Sequence, residues 1–397
     1  MPHPYRIAIL NSHPVQYFAP LYRRLEQEPD IDPVVYYCSR KGVEDYVDPG
    51  FGKEIRWDVP LLEDYEHRFL PEWQWRKGGK PGGFSVNPSI VRELRVGCYD
   101  ALWVHGYNSA THLLAIASTK LMGIPLFIRG ETHLLLHQYR PFMKRLIREP
   151  FFHVFYHLFD ACLPIGTRNS EFYQHYGVDK SRLFPVPYTV NNEFFTYNSN
   201  LSRSQRTEVR KQLGLPVEKS LVLFASKLTP RKRPIDLLCA YEQVKFTESN
   251  VGLVYIGSGS EEAILRQYVQ DHALQDVFFL GFRNQSELPA IYAAADVFVL
   301  PSENEPWGLV VNEVMCAGLP VIATEEIGSV ADLVTHGRNG FLYQAGDIKA
   351  LTNHLQTVIQ DDELRQKMGK ASLDRISQWS YEECVSGIRS ALQSMAK

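Results

Sequence analysis

The sequence predicts an α/β protein built from two doubly wound parallel sheets. Short apolar runs alternate with longer segments of helical periodicity, first at residues 6–10 and 17–27, which is the pattern of strand–helix units around a parallel sheet. The chain has 397 residues, enough for two to three domains. Hydrophobic residues make up 45% and charged residues 22%, a balance that indicates a globular chain rather than a disordered one.

Six strands are predicted in each half of the chain. They cover residues 6–10, 34–37, 101–104, 125–128, 161–164 and 183–186, and then residues 221–225, 252–256, 277–280, 297–300, 320–323 and 340–343. A polar stretch at residues 196–210 separates the two series. Because ligands of doubly wound sheets bind at the carboxyl ends of the strands, we expect the chemistry in a cleft between two similar halves.

Charge and cysteine usage argue against several classes of protein. Lys and Arg number 42 against 45 Asp and Glu, a formal net charge of −3, so no basic field attracts nucleic acid. The six cysteines are far apart and never form C-x-x-C, which argues against a zinc knuckle or a disulfide framework and favours a reducing cytoplasm. We expect neither a secretion signal nor a membrane-spanning segment, because the sequence lacks the apolar stretches that these require.

The segment after the predicted strand at residues 297–300 carries two carboxylates, Glu305 and Glu313. Pro306 favours the first turn of a helix, and Glu313 would lie about two turns beyond Glu305 on roughly the same face. The amides of that first turn would form an anion site, and they belong to Trp307, Gly308, Leu309 and Val310. One carboxylate could therefore contact a sugar and the other a ribose.

A basic loop follows the predicted strand at residues 221–225. Its four cations are Lys227, Arg231, Lys232 and Arg233. They could neutralise a diphosphate through charge-assisted hydrogen bonds. Alternatively, the loop could be a solvated basic turn, but the two glutamates at the same sheet edge favour a binding role.

Together these residues resemble the retaining glycosyltransferases of family 4, whose GT-B fold consists of two facing Rossmann-like domains with a cleft between them. The residues from Lys227 to Lys232 are similar to the diphosphate loop of that family, and Glu305 with Glu313 matches its E-x7-E motif. Comparable segments follow in the same order at residues 257–259, 281–283, 317–322 and 337–342. The resemblance covers nearly the whole second half.

The resemblance implies a nucleotide-diphosphate sugar as donor substrate, with no cofactor and no metal. Glu305 would bind hydroxyls of the donor sugar, Glu313 the ribose, and Lys227 with Lys232 the diphosphate. The catalytic residues would be Glu305, Lys232 and Lys227, and further donor contacts would come from Phe282 and Arg283 beside the base and from Trp307, Gly308 and Leu309. Lys227 replaces an arginine usual in the family, which keeps the charge but loses a two-pronged contact with phosphate.

The resemblance also implies an organisation and a reaction. Residues 1–195 would form the acceptor-side domain, 196–378 the nucleotide-sugar domain, and 379–397 a helix that returns to the first domain. The protein would move a hexose to a hydroxyl of a glycan or lipid-linked acceptor in polysaccharide or glycoconjugate synthesis. The alternatives are a nucleotide-sugar epimerase of the same fold and a catalytically silent glycan-assembly subunit. The incomplete G-x-G-x-x-G pattern at Gly257 argues against a dehydrogenase.

Polar side chains also follow the predicted strands of the first half. The candidates for contact with the sugar or the acceptor are His13, His105, Arg129, Glu131 and His133. Each of them could instead be a structural capping residue. The histidine that the family commonly has after the strand at residues 125–128 is replaced here by Glu131, so the acceptor contacts stay open.

Two aromatic stretches of the first half have alternative interpretations. Residues 140–159 are basic and aromatic, which suits either a membrane-facing surface near lipid-linked acceptors or a basic helix followed by a buried aromatic one. Trp73 and Trp75 precede a glycine-rich stretch at residues 78–83 and could contact the acceptor or anchor that loop. We expect a cytoplasmic protein, with peripheral contact at the inner face of the membrane as an addition.

Overall fold

The computed structural model describes residues 3–48, 50, 52–74, 85–138 and 142–395. These residues form two compact units. The first unit comprises Met1–Tyr46, Val59–Tyr188 and Tyr381–Lys397, and the second comprises Val47–Asp58 and Thr189–Ser380. The segment Val47–Asp58 therefore belongs to the second unit although it lies early in the chain. The expected domain boundaries at residues 195 and 378 place this segment in the first domain.

The first unit is built on a six-stranded parallel sheet. The strands described before residue 189 are β1 (Tyr5–Asn11), β2 (Ile31–Tyr37), β3 (Tyr46–Asp48), β4 (Lys53–Ile55), β5 (His67–Phe69), β6 (Trp73–Gln74), β7 (Ser85–Val86), β8 (Ala101–His105), β9 (Leu126–Arg129) and β10 (Ala161–Cys162). Six of them are ordered β10-β9-β8-β1-β2-β5 in the sheet, and β3 pairs with β4 and β6 with β7 in separate two-stranded sheets. The central strands are buried, as expected for a parallel sheet covered on both faces.

Two features of this sheet differ from the sequence expectation. The strand β5 was not predicted, because its three residues include the polar His67 and Arg68 and give no apolar run. Of the strand predicted at residues 183–186, only Leu183 forms a β-bridge, to Cys162. Phe184 and Val186 donate their backbone N–H groups to the carbonyls of Cys162 and Pro164 at 3.0 and 2.9 Å, so this segment lies along β10 without forming a regular strand.

The second unit contains a second six-stranded parallel sheet. Its strands are β11 (Ser220–Ala225), β12 (Val251–Ile256), β13 (Val277–Phe279), β14 (Val297–Leu300), β15 (Val321–Thr324) and β16 (Gly340–Tyr343). They are ordered β13-β12-β11-β14-β15-β16, and every pair is parallel. All six correspond to predicted strands, because each is a short apolar run, and β11, β12, β14 and β15 are largely buried.

Helices connect the strands of both sheets. In chain order they are α1 (Ala19–Glu26), α2 (Ile90–Val96), α3 (Ala110–Met122), α4 (Leu134–Gln138), α5 (Phe142–Phe155), α6 (Thr167–His175), α7 (Asn192–Ser199), α8 (Arg203–Gln212), α9 (Pro234–Thr247), α10 (Glu262–Asp271), α11 (Leu288–Ala294), α12 (Val310–Cys316), α13 (Val330–Leu333), α14 (Ile348–Gln360), α15 (Asp362–Ile376) and α16 (Tyr381–Met395). Short 3-10 helices lie at Tyr156–Leu158, Lys180–Arg182 and Pro230–Lys232. Among the described helices, none combines the length and the apolar character that crossing a bilayer requires.

The polar stretch at residues 196–210 is not a linker but forms most of α7 and α8. Ser202 and Gln205 form a reciprocal capping box that starts α8. Arg206 and Arg210 donate to the carboxylate of Asp296 at 2.6 and 2.8 Å. These ion pairs explain how the polar helix α8 packs within the second unit.

The last helix, α16, packs within the first unit. Arg389 donates from Nε to Asp30 at 2.7 Å, and Glu382 accepts from Nε of Arg24 on α1 at the same distance. The last helix is therefore joined to α1 and to the start of β2 by ion pairs.

The winding of each sheet reverses beside its first strand. β1 lies between β8 and β2, and β11 lies between β14 and β12. The connections from such neighbouring strands leave toward opposite sides, which opens a crevice at their carboxyl ends. Each unit thus has a preferred ligand position, after β1 and β8 in the first and after β11 and β14 in the second.

Candidate functional site

The crevice of the second unit contains the predicted basic loop and the first of the two predicted glutamates. The loop after β11 carries Lys227, Arg231 and Lys232, and the loop after the adjacent strand β14 carries Glu305. Three cations and one carboxylate therefore come from two loops that follow neighbouring strands.

Glu305 is paired with two cations of the basic loop. Lys232 donates from Nζ to Oε2 of Glu305, and Arg231 donates from Nη1 to the same oxygen at 3.0 Å. Lys232 is only 7% exposed and Glu305 8%. Burial lowers the pKa of Lys232, while the nearby Glu305 carboxylate acts in the opposite direction. The pair is thus a buried, largely desolvated ion pair.

Lys227 is paired with a carboxylate that sequence reasoning missed. Its Nζ donates to Oδ1 of Asp48 at 2.7 Å, and the same oxygen accepts the backbone N–H of Gly50 at 2.8 Å. A Cβ atom at Gly50 would lie 2.6 Å from Cδ of Lys227, so a larger residue at this position would displace the lysine side chain. Asp48 and Lys227 are 179 residues apart, and no local sequence signal could have joined them.

The segment from Val47 to Asp58 also contacts the loop after β13. The rings of Trp57 and Phe282 have centroids 6.5 Å apart, and Asn284 donates from Nδ2 to the carbonyl of Arg56 at 2.8 Å. Arg283 donates to Glu287 at 2.9 Å. Phe282 and Arg283, predicted to flank a base, therefore lie after β13 beside an aromatic residue of this segment.

The loop at residues 301–309 differs from the expected helix. The helix α12 begins at Val310, not at Pro306, so Glu305 and Glu313 do not share a helical face. Asn304 and Gly308 have φ values of +51° and +85°, in the left-handed region that a helix does not use. These two residues keep the loop irregular and place Glu305 before the helix instead of on it.

Several predicted donor residues are held by this loop. The indole of Trp307 faces inward, donates to Oδ1 of Asn312 at 3.0 Å and stacks on Trp379 with 5.8 Å between centroids. The amides of Gly308 and Leu309 precede α12, where N–H groups have no acceptor within the helix itself. Trp307 thus contributes packing through its side chain, and the following amides remain the groups suited to an anion.

Glu313 lies inside the unit. It is 2% exposed, and its Oε2 accepts the hydroxyl of Tyr292 on α11 at 2.6 Å. The E-x7-E spacing thus places one carboxylate at the crevice, paired with cations, and the other beneath it, bonded to a tyrosine.

The crevice of the first unit opens into a cavity of about 400 Å³. It lies at the carboxyl ends of β1, β8 and β9. Of the predicted candidates, His13, His105, Arg129 and Glu131 line it. His133 is buried and is not among the lining residues. Residues not predicted for a site also line it, among them Phe18, Arg148 and Tyr188.

The two lining histidines are held by local partners. His105 bonds through Nε2 to the hydroxyl of Tyr22 at 3.0 Å and stacks on Trp103, 4.7 Å between centroids. Burial lowers its pKa well below the usual value, and the nearby charge of Arg129 adds to this. His13 bonds through Nδ1 to Ser12 at 2.8 Å, and burial followed by the charge of Lys41 lowers its pKa as well. Both rings are therefore neutral at pH 7.

Arg129 lies among aromatic rings at the end of β9. Its guanidinium carbon lies 5.3 Å from the ring centroid of Phe18 and 5.0 Å from that of Tyr188. Nη2 donates to the carbonyls of Val186 and Pro187 at 3.3 and 2.9 Å. The side chain is thus held firmly, with its charge in a cavity wall.

The aromatic stretches are only partly described. Trp75 and residues 78–83, as well as residue 140, lie outside the described residues. Trp73 is exposed in β6. On α5 and the turn that follows, Phe151, Val154 and Leu158 are 48%, 70% and 39% exposed, whereas Phe152 and Phe155 are buried. The aromatic second part of the stretch therefore has exposed apolar side chains as well as buried ones.

Each unit is a Rossmann-like domain, and two such domains make up the GT-B fold. A solved structure agrees with this assignment. The crystal structure of Alr3699/HepE from Anabaena, in complex with UDP and glucose, superposes with a TM-score of 0.71 over 98% of this chain and 99% of that one, at 19% identity. At that identity the likeness establishes the fold.

Sequence comparisons point to one family. The family model of the glycosyl transferases group 1 matches residues 205–375, so this segment has the sequence pattern of that family. The chain is 28% identical over 324 residues to sulfoquinovosyl transferase SQD2 of Arabidopsis thaliana, covering 80% of this chain and 61% of that protein. It is 29% identical over 182 residues to N-acetyl-alpha-D-glucosaminyl L-malate synthase of Bacillus anthracis, covering 45% and 47%. The matches thus span about half to three-fifths of these relatives.

Proposed function

We propose that the protein transfers a hexosyl group from a nucleotide-diphosphate sugar to a hydroxyl of a glycan or lipid-linked acceptor, with retention of the anomeric configuration. The observation that carries this proposal is the grouping of Lys227, Lys232 and Glu305 in the loops after β11 and β14. All three residues lie inside the segment that matches the family model. The UDP and glucose bound to Alr3699/HepE support a nucleotide-sugar donor.

In this proposal Lys227 and Lys232 bind the diphosphate and exchange their carboxylate partners for phosphate oxygens. Glu305 then accepts hydroxyls of the donor sugar. Phe282 and Arg283 flank the base, and the amides of Gly308 and Leu309 bind a phosphate oxygen. Glu313 contacts the ribose through a carboxylate that Tyr292 orients.

The chemistry breaks the bond between the anomeric carbon and the leaving phosphate oxygen. A bond from the acceptor oxygen to that carbon forms on the same face, and the acceptor proton passes to the leaving phosphate. Lysine charges preorganised around the departing diphosphate stabilise the negative charge that develops there. The cations supply that charge without a metal or cofactor.

The test of the donor site is a titration of the purified protein with UDP-, GDP- and ADP-sugars, with and without chelator. We expect one nucleotide class to raise the melting temperature, indifferent to chelator. Lys227→Met should abolish the shift, and Lys349→Met, which removes an exposed lysine of the same unit, should keep it. If no nucleotide sugar bound the wild-type protein, the proposal would be wrong.

The reaction type needs a second readout. Product analysis with and without acceptor glycans distinguishes the classes. Transfer that depends on an acceptor supports the proposal, whereas isomerised nucleotide sugar in the absence of acceptor identifies an epimerase. Binding without turnover of any donor identifies a silent subunit.

We further propose peripheral contact with anionic membranes through α5. Phe151, Val154 and Leu158 recur at helical spacing and are exposed, and apolar side chains beside basic ones suit a lipid interface. Flotation with anionic vesicles should recover the wild-type protein and lose Val154→Glu. Leu121→Glu, at a 90% exposed position of α3, is the matched control. No flotation of the wild-type protein would remove this contact.

A further inference from the structure

The cavity of the first unit holds a buried cation that has no acidic partner among the described residues. Arg129 is 4% exposed, and among the described residues no carboxylate oxygen lies within 4.0 Å of its guanidinium nitrogens. Its Nε is buried and has no hydrogen-bond acceptor within the described chain. The two carbonyls of residues 186 and 187 satisfy only Nη2.

The other charged groups of the cavity wall do not balance this charge. Arg148 adds a second cation from α5, and Glu131 is the one carboxylate among the lining residues that the structure describes. Glu131 is exposed and hydrogen-bonds to Tyr188. The histidines His13 and His105 contribute no negative charge in either protonation state. The wall is therefore positive.

A positive wall of this kind has a physical consequence. A buried charge without a counter-charge is costly, because the protein interior does not replace its hydration. A guanidinium also presents a planar fork that matches carboxylate and phosphate oxygens. The cavity, about 400 Å³, lies within the usual size range of small-ligand sites.

A structural role explains part of this arrangement but not all of it. The bonds from Nη2 to the carbonyls of Val186 and Pro187 fix the segment after residue 183, and the rings of Phe18 and Tyr188 pack on the guanidinium. These contacts leave the charge itself uncompensated and leave Nε unused.

We propose that this cavity binds an anionic group of the acceptor, a carboxylate or a phosphate, through Arg129 with Arg148. This inference rests on the proposed function, since it names the chemical class of the acceptor. It adds a specificity rule, namely that acidic or phosphorylated sugars are preferred over neutral ones of the same shape.

The experiment compares three monosaccharides that differ in charge. Isothermal titration of the full-length protein uses D-glucose, D-glucuronate and D-glucose 6-phosphate, with saturating UDP present to occupy the nucleotide site. We expect at least one charged sugar to bind about tenfold more tightly than D-glucose, the usual size of a hydrogen bond to a charged group. Preference for D-glucuronate identifies a carboxylate ligand, and preference for D-glucose 6-phosphate a phosphate.

Variants locate the effect. Arg129→Gln and Arg148→Gln should each bring the ratio of charged to neutral affinity toward one. Arg182→Gln is the matched control, because Arg182 donates to the carbonyl of Phe159 in the same unit and lies outside the cavity. If Arg129→Gln does not fold, Arg148→Gln decides, since Arg148 has no part in fixing residues 186 and 187.

The outcomes separate this inference from the proposed function. Equal affinity for all three sugars, or a charge preference unchanged in both variants, overturns the anionic site while leaving nucleotide binding by the second unit untouched. Conversely, a protein that fails to bind UDP but keeps the Arg129-dependent preference retains this site and loses the proposed transfer.

Discussion

Both units place cations at the carboxyl edge of a six-stranded parallel sheet, but they neutralise these cations differently. In the second unit Lys232 and Arg231 meet Glu305, and Lys227 meets Asp48. In the first unit Arg129 has no carboxylate within ion-pair distance among the described residues.

The difference teaches what each crevice requires of a ligand. An anion that enters the second unit competes with carboxylates already present, so binding is an exchange of partners. An anion that enters the first unit meets a charge held in position by carbonyls and aromatic rings. We therefore expect the loss of a cation to destabilise the second unit more than the first.

The largest effect is expected at Glu305, because it is the carboxylate in contact with the cations. Glu305→Ala should lower kcat/KM for transfer at least about a hundredfold, or about 2.7 kcal/mol of transition-state stabilisation. Glu303→Gln is the control, since Glu303 pairs with Arg233 instead, and it should stay within about threefold of the wild type. Steady-state kinetics of both variants decide this. Unchanged transfer by Glu305→Ala would mean that the site is elsewhere.

Cation removal should cost stability in the second unit and little in the first. Lys232→Met removes one of the cations that contact the buried carboxylate of Glu305, while Arg231 keeps its contact. This should cost about 2 kcal/mol, less than for a pair that loses its only partner. Arg129→Met loses two hydrogen bonds but also an uncompensated charge, so the net cost should be below about 1 kcal/mol. Hydrogen exchange of the amides of β9 and β14 reads the two units separately. If Arg129→Met lost as much stability as Lys232→Met or more, Arg129 would be a structural cation like Lys232.

Acid should destabilise the first unit through its buried histidines. Burial lowers the pKa of His112 to about 4, and it lowers that of His105 too. Below about pH 6.5 the unfolded histidines bind protons and the folded ones do not, so stability falls as the pH falls from 6.5 toward 4. At pH 5.5 we expect a loss of about 1 kcal/mol from His112, and His105 acts in the same direction. Thermal melts between pH 7.5 and 5.0 measure this.

The variant His105→Gln should flatten that pH dependence, and His336→Gln, at an exposed position of the second unit, is its control. A melting temperature that stays constant over the range, or a slope unaffected by His105→Gln, would mean that these histidines charge freely in the folded protein.

The smallest effect is expected at Asp48, and its direction is the opposite of a usual binding-site mutation. Asp48→Asn removes the ion pair between Asp48 and Lys227, so UDP should bind about threefold more tightly, the range of a partly exposed ion pair. Glu54→Gln removes another acid of the same segment, at an exposed position of β4, and should change nothing. Titration with UDP compares the two. Weaker binding by Asp48→Asn would show that Asp48 supports the site instead of competing for it.

Local patterns predicted most of the strands of the two large sheets and the charged loops at their ends. Apolar runs such as residues 297–300 predict strands because a parallel strand buried on both faces has to be apolar. Patterns failed where a short polar strand, β5, joined the edge of a sheet, and where Asn304 and Gly308 interrupted an expected helix with positive φ values. Those outcomes depend on neighbours in space, which periodicity does not report.

The sequence by itself determined two doubly wound parallel sheets and the loops that carry Lys227, Lys232 and Glu305. These follow from short-range patterning and from the geometry of right-handed strand–helix units. Only the tertiary structure decided that Asp48 pairs with Lys227, that Tyr292 holds Glu313 and that Arg129 has no carboxylate within ion-pair distance among the described residues. Such pairings join residues far apart in the chain, and burial makes their charges matter, so they exist only once the chain has packed.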